Sequence, residues 1–248
     1  MRITFPWNGQ MYHADLSAAI DLSIPLRNGL ENQPNAYGAP PYHASPVTAG
    51  DFVGSLEAGA PVNFFNIAIN PHGNGTHTEC VGHILPGSFR ISQCFTRTHF
   101  VAELVSVKPE ENFISRDQLR SAVRYKSEAL IVRTLPNPES KKTRKYTGGN
   151  PPFFQAGALS WVAATGYQHL LTDLPSVDPE VDGGALTAHR AFWDADGTVR
   201  SEATITEMCY AGENIPDGLY LLDLQNLALD LDVSPSRPLL YVMEKHES

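Results

Sequence analysis

Between Asn70 and Ile84 the chain reads NPHGNGTHTECVGHI, which sets three histidines, a glutamate and a cysteine within fifteen residues. Imidazole nitrogens mixed with a carboxylate suit zinc, manganese or iron, whereas a bare oxygen cage would suit calcium or magnesium. His77 and Glu79 are two apart, so an extended segment sends both side chains off one face toward one ion. His72 joins them only if the chain bends, and Gly73, Asn74 and Gly75 are residue types that permit a tight bend. The competing reading is a polar loop whose histidines hydrogen-bond the backbone; three imidazoles beside a carboxylate weigh against it. Cys80 alternates away from His77 and Glu79 and reads as buried packing. A divalent ion in such a set lowers the pKa of its water to about 7 and polarises a carbonyl, which is the chemistry of hydrolysis.

These side chains need a scaffold to hold them. The apolar run VNFFNIAI, Val62 to Ile69, ends at the Asn70-Pro71 turn signal directly before the cluster, so the pattern predicts a strand leading into it. Asn8-Gly9 predicts an N-terminal β-hairpin, and AIDLSIPL, Ala19 to Leu26, predicts a strand. A Pro-, Asn- and Gly-rich stretch to about Pro46 then reads as a surface loop, of a length that is often functional. Downstream, FVAELVSV reads as a strand, SRDQLRSAVRYK as a helix opened by a Ser115-x-x-Gln118 capping box, and ALIVRTL as a strand. The alternation continues with a helix near Gly157 to Thr165, a strand at HLLTDL, a helix at ALTAHRAFW, and strands at ATITEM, GLYLLDL and PLLYVM. A mixed α/β fold follows, with residues 1–248 as a single domain, since no repeat or composition break divides them.

Bulk composition narrows the partners. With 42% hydrophobic and 18% charged residues the chain has the makeup of a folded globular protein. Its net charge of -9 would repel phosphate backbones and anionic lipid, which argues against nucleic-acid or membrane-surface partners. The one basic run, KKTRK at Lys141 to Lys145, reads as a solvated loop. No apolar run reaches about 18 residues and the first residues lack a leader pattern, so neither export nor a membrane span is expected. Cys80, Cys94 and Cys209 are odd in number and widely spaced, which fits reduced thiols and a cytoplasmic location.

The run His72-x4-His77-x-Glu79-x3-His83 resembles the His-x3-His-x-Asp-x3-His signature of the metal-dependent cyclase family that includes bacterial kynurenine formamidase. Further blocks follow in the family's order: DLSIPL at Asp21 to Leu26, DLPSVD at Asp173 to Asp178, LTAHRAFW, and ITEMCYAGENIPDGLYLL. The resemblance implies a swivelling β/β/α cyclase-like domain with a mixed sheet, a homodimer or homotetramer, and a metal-dependent amidohydrolase acting on a small-molecule amide. By resemblance, His72, His77 and Glu79 hold one ion, Glu79 bridges to a second completed by His189 and Glu207, and His83 carries the proton. Zinc is the first choice of metal and manganese the second, with one or two ions. Tyr37 stands about where the family has a substrate-stacking tryptophan. The implied substrate is an aryl formamide such as N-formylkynurenine. A cyclic amide, as for the isatin hydrolases of the same broad family, is the alternative, and so is a non-catalytic binding member. Two departures bear on this transfer: one extra residue separates the first two histidines, and glutamate replaces aspartate at position 79. The longer gap after His189 also makes Glu202 an alternative to Glu207, which is preferred because ITEMCY reads as a strand.

Overall fold

The computed structural model describes residues 1–95 and 97–246. An antiparallel hairpin opens it, β1 (Arg2–Trp7) and β2 (Gln10–Asp15), turning at Asn8 and Gly9, both at positive φ as a two-residue turn requires. Of the strand predicted over Ala19 to Leu26, only β3 (Ile20–Asp21) pairs. Asp21 turns its carboxylate onto the Ser23 backbone and hydroxyl, and Pro25 has no N–H to give, so the ladder stops there.

Two strands, β4 (His43–Pro46) and β5 (Phe65–Ala68), form an outlying antiparallel pair. The run Val62 to Ile69 therefore does not lead into the core: all four residues of β5 are exposed. An apolar run shows that a surface wants cover, not which surface covers it. The loop before it is also less superficial than its composition suggests. Gln33 is buried, donating from Nε2 to the Arg27 and Tyr42 carbonyls and accepting at Oε1 from the Tyr42 N–H.

Seven further strands close a barrel. They are β6 (His77–Cys80), β7 (His99–Val107), β8 (Ala129–Thr134), β9 (His169–Thr172), β10 (Thr204–Glu207), β11 (Gly218–Asn226) and β12 (Val233–Val242). Around the barrel the order is β11, β7, β8, β9, β10, β6, β12, and β12 pairs back onto β11. From β7 to β10 the neighbours are parallel; every other pairing in the ring is antiparallel. Parallel neighbours need crossovers, and three helices lie in them: α1 (Arg116–Ala122), α2 (Ala156–Thr165) and α3 (Thr187–Trp193). The capping box at Ser115 and Gln118 opens α1 as predicted. Among the described residues no helix is long and apolar enough to cross a membrane.

Alternation along the strands divides the core in two. Ala129, Ile131 and Leu171 face inward with Phe100, Leu104 and Leu222. Leu130, Val132, Leu170 and Ile205 face outward onto Leu159, Val162, Phe192 and Trp193 of the helices. The KKTRK run departs from its solvated reading, because Lys141 is buried and paired with Asp173 at 2.6 Å. A long aliphatic stem with a paired ammonium can enter a core that an isolated charge cannot.

Candidate metal centre

The strand register assembles the centre. In the β10–β6 pair, Glu207 lies opposite His77 and Ile205 opposite Glu79. Ile205 belongs to the outer core beside Phe192 and Trp193 of α3, so His77, Glu79 and Glu207 open on that same face, toward the helix that carries His189. The intervening Thr78 and Thr206 point into the barrel, where their hydroxyls share a 2.8 Å bond. Cys80 also faces away, packed with Ile91 and Cys94.

His72 arrives by the bend. Asn70 Oδ1 accepts from the Gly73 N–H at 3.0 Å, and Asn74 Oδ1 accepts from the Asn70 N–H at 2.8 Å, which closes the turn on itself. A Cβ at Gly73 would lie 2.3 Å from Ala39 Cβ, so only glycine fits there, and Gly75 takes φ 98°. His72 Nδ1 ends 3.2 Å from Glu79 Oε2. His83, on the single turn Val81–His83 directly after β6, brings Nε2 to 3.8 Å from the same oxygen.

From the other side, His189 Nε2 approaches Glu79 Oε1 at 3.0 Å and Glu207 Oε1 at 3.8 Å, while His77 Nε2 lies 3.3 Å from Glu207 Oε2. The Val177 N–H donates to Glu207 Oε1 at 2.9 Å and fixes that carboxylate. Trp193, one turn along α3, stacks on the His189 ring at 5.6 Å. Glu202 is exposed and stands outside this group.

All six side chains expected at the metal or in proton transfer therefore converge: His72, His77, Glu79, His83, His189 and Glu207. Two further acids join them. Asp178 accepts from the backbone N–H groups of Ala188 and His189 at the start of α3 and contacts His189 Nδ1 at 2.6 Å. Asp232, just before β12, lies 3.2 Å from His72 Nε2 and 3.4 Å from His83 Nδ1. Asp178 was visible in the DLPSVD block; Asp232, in LALDLDV, carries no spacing signal.

The arrangement fits a cation. Ligand atoms of His72, His77 and Glu79 lie within 4.8 Å of one another, as do those of Glu79, His83 and His189, and those of His72, His83 and Asp232. Among the described residues, His77 Nε2 and Glu79 Oε2 are buried without a well-formed hydrogen bond, each meeting only a facing charge partner, Glu207 Oε2 at 3.3 Å and His72 Nδ1 at 3.2 Å, so both depend on positive charge held at the centre. Burial opposes charge on His72, but Asp232 and Glu79 prevail and push it up to about 10. Burial likewise opposes charge on His189, which Glu79 and Asp178 push up to about 10. Burial disfavours ionised Glu79 too, yet His83 and His189 hold it well below the usual carboxylate range. The acids demand positive charge at the centre, which protons on the imidazoles or a divalent ion can supply.

A cavity of about 620 Å³ opens beside this group, with Tyr37, Pro40 and Leu186 among its walls and Glu180 and Asp182 also in its lining. Tyr37 takes φ 58° and its hydroxyl donates to the Pro175 carbonyl at 3.1 Å, which holds the ring at the cavity wall. Leu186 and Met208, the residue after Glu207, also take positive φ, so three strained non-glycine residues flank the centre.

The Cyclase family model, described as "Putative cyclase", matches residues 20–179. Among solved structures the chain is similar to a predicted metal-dependent hydrolase from Bacillus stearothermophilus, at 16% identity and a TM-score of 0.63, covering 90% of this chain and 98% of that one. It is also similar to an isatin hydrolase bound to the product analogue thioisatinate, at 14% identity and a TM-score of 0.64, with 91% and 92% covered. Isatin hydrolase A from Labrenzia aggregata gives 16% identity and a TM-score of 0.63, with 92% and 94% covered. Among curated proteins none matches. At these identities the structures share the fold, the seven-stranded mixed barrel with its helices outside.

Proposed function

The chain belongs to the Cyclase family, and from that premise we propose that it is a metal-dependent hydrolase that cleaves the carbonyl–nitrogen bond of a small amide. The observation that carries this reading is the convergence of His72, His77 and Glu79, with ligand atoms within 4.8 Å of one another, on a cavity wall that His83, His189 and Glu207 share. In this reading His72, His77 and Glu79 hold one ion, and Glu79 with His189 and Glu207 a second where two bind. Nitrogen and oxygen donors together favour zinc, then manganese. The ion supplies Lewis acidity, polarising the amide carbonyl and making water nucleophilic at neutral pH.

The chain's own groups do the rest. Glu79 and Glu207 balance the charge of the centre, and Asp178 holds the His189 ring by its Nδ1. His83 lines the cavity and is partly exposed, and by the family resemblance it is the group that passes a proton to the departing nitrogen, without which an amine leaves poorly. Tyr37 offers its ring face to a planar substrate. An aryl formamide, of the N-formylkynurenine type, suits that wall. The isatin hydrolases among the structural neighbours favour a second reading, a cyclic amide. Residues 1–248 act as one domain with the swivelling β/β/α architecture of the family. A homodimer or homotetramer is inferred from the family resemblance, and the exposed apolar residues Phe65 and Ile67 of the outlying strand, with Leu56, Val62 and Phe64 in the segment before it, are in keeping with it.

The test is metal content of the purified chain, followed by hydrolysis of formyl-aryl amines and cyclic amides by wild type and His83→Ala. Bound metal with turnover lost in the variant is expected. Less than one equivalent of metal refutes the centre, metal without turnover of any amide makes the chain a binding protein, and full turnover in the variant removes His83 from the chemistry. Light scattering checks the assembly; a monomer would refute it.

A further inference from the structure

The four imidazoles share a pattern that hydrolysis alone does not explain. Each turns one nitrogen toward Glu79 or Glu207 and its other nitrogen toward an acceptor lying outside the centre. For His77 the outer acceptor is the Gly75 carbonyl, 2.8 Å from Nδ1, and for His189 it is Asp178, 2.6 Å from Nδ1. For His72 and His83 it is one and the same oxygen: Asp232 Oδ2 accepts from His72 Nε2 at 3.2 Å and lies 3.4 Å from His83 Nδ1. We propose that Asp232 is a positioning residue that acts through both histidines, fixing His72 with its proton on Nε2 and His83 with its proton on Nδ1. The lone pair of His72 Nδ1 is thereby presented to the ion, and that of His83 Nε2 is free to take the proton of the attacking water and pass the same proton to the departing nitrogen. This rests on the metal-dependent reading above.

Three features make the shared carboxylate effective. The His72 and His83 rings lie 4.4 Å apart at 36°, close enough to parallel for one oxygen to serve both edges. Asp232 is anchored to the strand that carries Glu79, because its carbonyl accepts from the Cys80 N–H at 2.9 Å and the next residue, Val233, pairs in register with Glu79. Its carboxylate stands apart from Glu79, so each of the two rings is held between two acids, one at each nitrogen. A carboxylate behind a ligating imidazole sets the tautomer, steadies the ring and raises the basicity of the nitrogen facing the metal. The alternative, Asp232 as a ligand itself, would leave both rings as they lie and move their protons: His72 would bind through a bare Nε2 and His83 through a bare Nδ1.

The two arrangements predict opposite tautomers. Long-range proton–nitrogen spectra of the zinc-loaded full chain, labelled at histidine, read them directly. Protonated Nε2 on His72 and protonated Nδ1 on His83 are expected, and the reverse pair overturns the proposal. Zinc affinity of Asp232→Asn, by competition with a chromophoric chelator, is expected to fall about 10–100-fold, the usual loss for such a partner. Asp230→Asn, at an exposed residue paired with Arg90, should leave zinc affinity unchanged. Equal zinc affinity in Asp232→Asn and wild type overturns the positioning role alone, whereas a wild type that binds no zinc overturns the metal-dependent reading with it. Should Asp232→Asn fail to fold, the wild-type tautomers decide.

Discussion

Replacing Lys141 by methionine isolates one buried charge and connects it to the cavity. The Lys141 ammonium donates to Asp173 Oδ2 at 2.6 Å, to Thr134 Oγ1 at 2.7 Å and to the Thr134 carbonyl at 3.0 Å, and both members of the pair are buried. Methionine keeps most of the stem and removes the charge, leaving Asp173, among the described residues, with only Thr134 as a partner. Stranding one member of a buried pair destabilises by about 3–5 kcal/mol, which for a chain of this size lowers Tm by about 6–20 °C. Burial already raises the Asp173 pKa even with Lys141 beside it. A carboxyl raised in the folded state contributes stability that is present below its unfolded value, about 3.9, and is lost as pH rises through the folded value. Without the ammonium the folded value rises further, so the deficit should be largest near pH 8 and shrink toward pH 5. Urea unfolding at both pH values measures it. The segment that Lys141 anchors continues to Thr147 and Gly148, which bond Gly38 and Glu180 at the cavity, so KM should rise more than kcat falls. A loss below about 1 kcal/mol, an equal loss at both pH values, or a Lys141→Met/Asp173→Leu chain no more stable than the single variant would refute the reasoning.

Other perturbations probe separate parts of the molecule. Zinc at one hundred times its Kd should stabilise the apo chain by about 2.7 kcal/mol, or about 5–11 °C in a thermal scan; no shift would contradict a cation site at His77 and Glu79. Burial, with Arg97 and Arg200, pushes His169 down to about 3, so its contribution to stability is full above the unfolded value of about 6.5 and is lost as pH falls toward 3. His169→Leu should therefore flatten the stability profile between pH 6.5 and 5, by about 2 kcal/mol, in urea titrations. Gly73→Ala places a Cβ 2.3 Å from Ala39 Cβ and 3.1 Å from the Ala36 carbonyl, so it should displace the turn that carries His72 and weaken zinc binding along with fold stability, by about 1–3 kcal/mol for the latter in urea titrations. Ser115→Ala removes an N-cap and should cost about 0.5–2 kcal/mol in the same assay while leaving amide turnover unchanged.

What the sequence disclosed follows the range of the interactions involved. Period-two spacing put His77 and Glu79 on one strand face, and the glycines around Asn74 announced the turn that returns His72 to them; both are local and both stand in the structure. The helices and barrel strands after Phe100 were legible for the same reason, since each is an apolar stretch bounded by its own cap or breaker. Barrel closure was not, because the β11–β12 pairing that completes it depends on register between strands rather than on any single run. The Val62 to Ile69 run does form a strand, Phe65–Ala68, ahead of the cluster as its pattern predicts, but nothing local distinguishes a strand destined for the core from one left on an exposed arm.

The same logic explains why the acids behind the histidines were the hardest part of the centre to see. Glu207 was reached through family resemblance, and its place opposite His77 is a consequence of β10–β6 register. Asp232 belongs to neither motif nor helix period; it is delivered by β12 pairing alongside Glu79, more than 150 positions away in sequence. Ligands must lie close to one ion, which short spacings can encode, whereas a carboxylate behind an imidazole need only meet the far side of the ring and can come from any strand that ends there. The part of such a centre that sets which nitrogen faces the metal is therefore written in sheet register, and a strand shift of one residue between β12 and β6 would carry Val233 or Leu231 to that position and leave His72 and His83 free to turn.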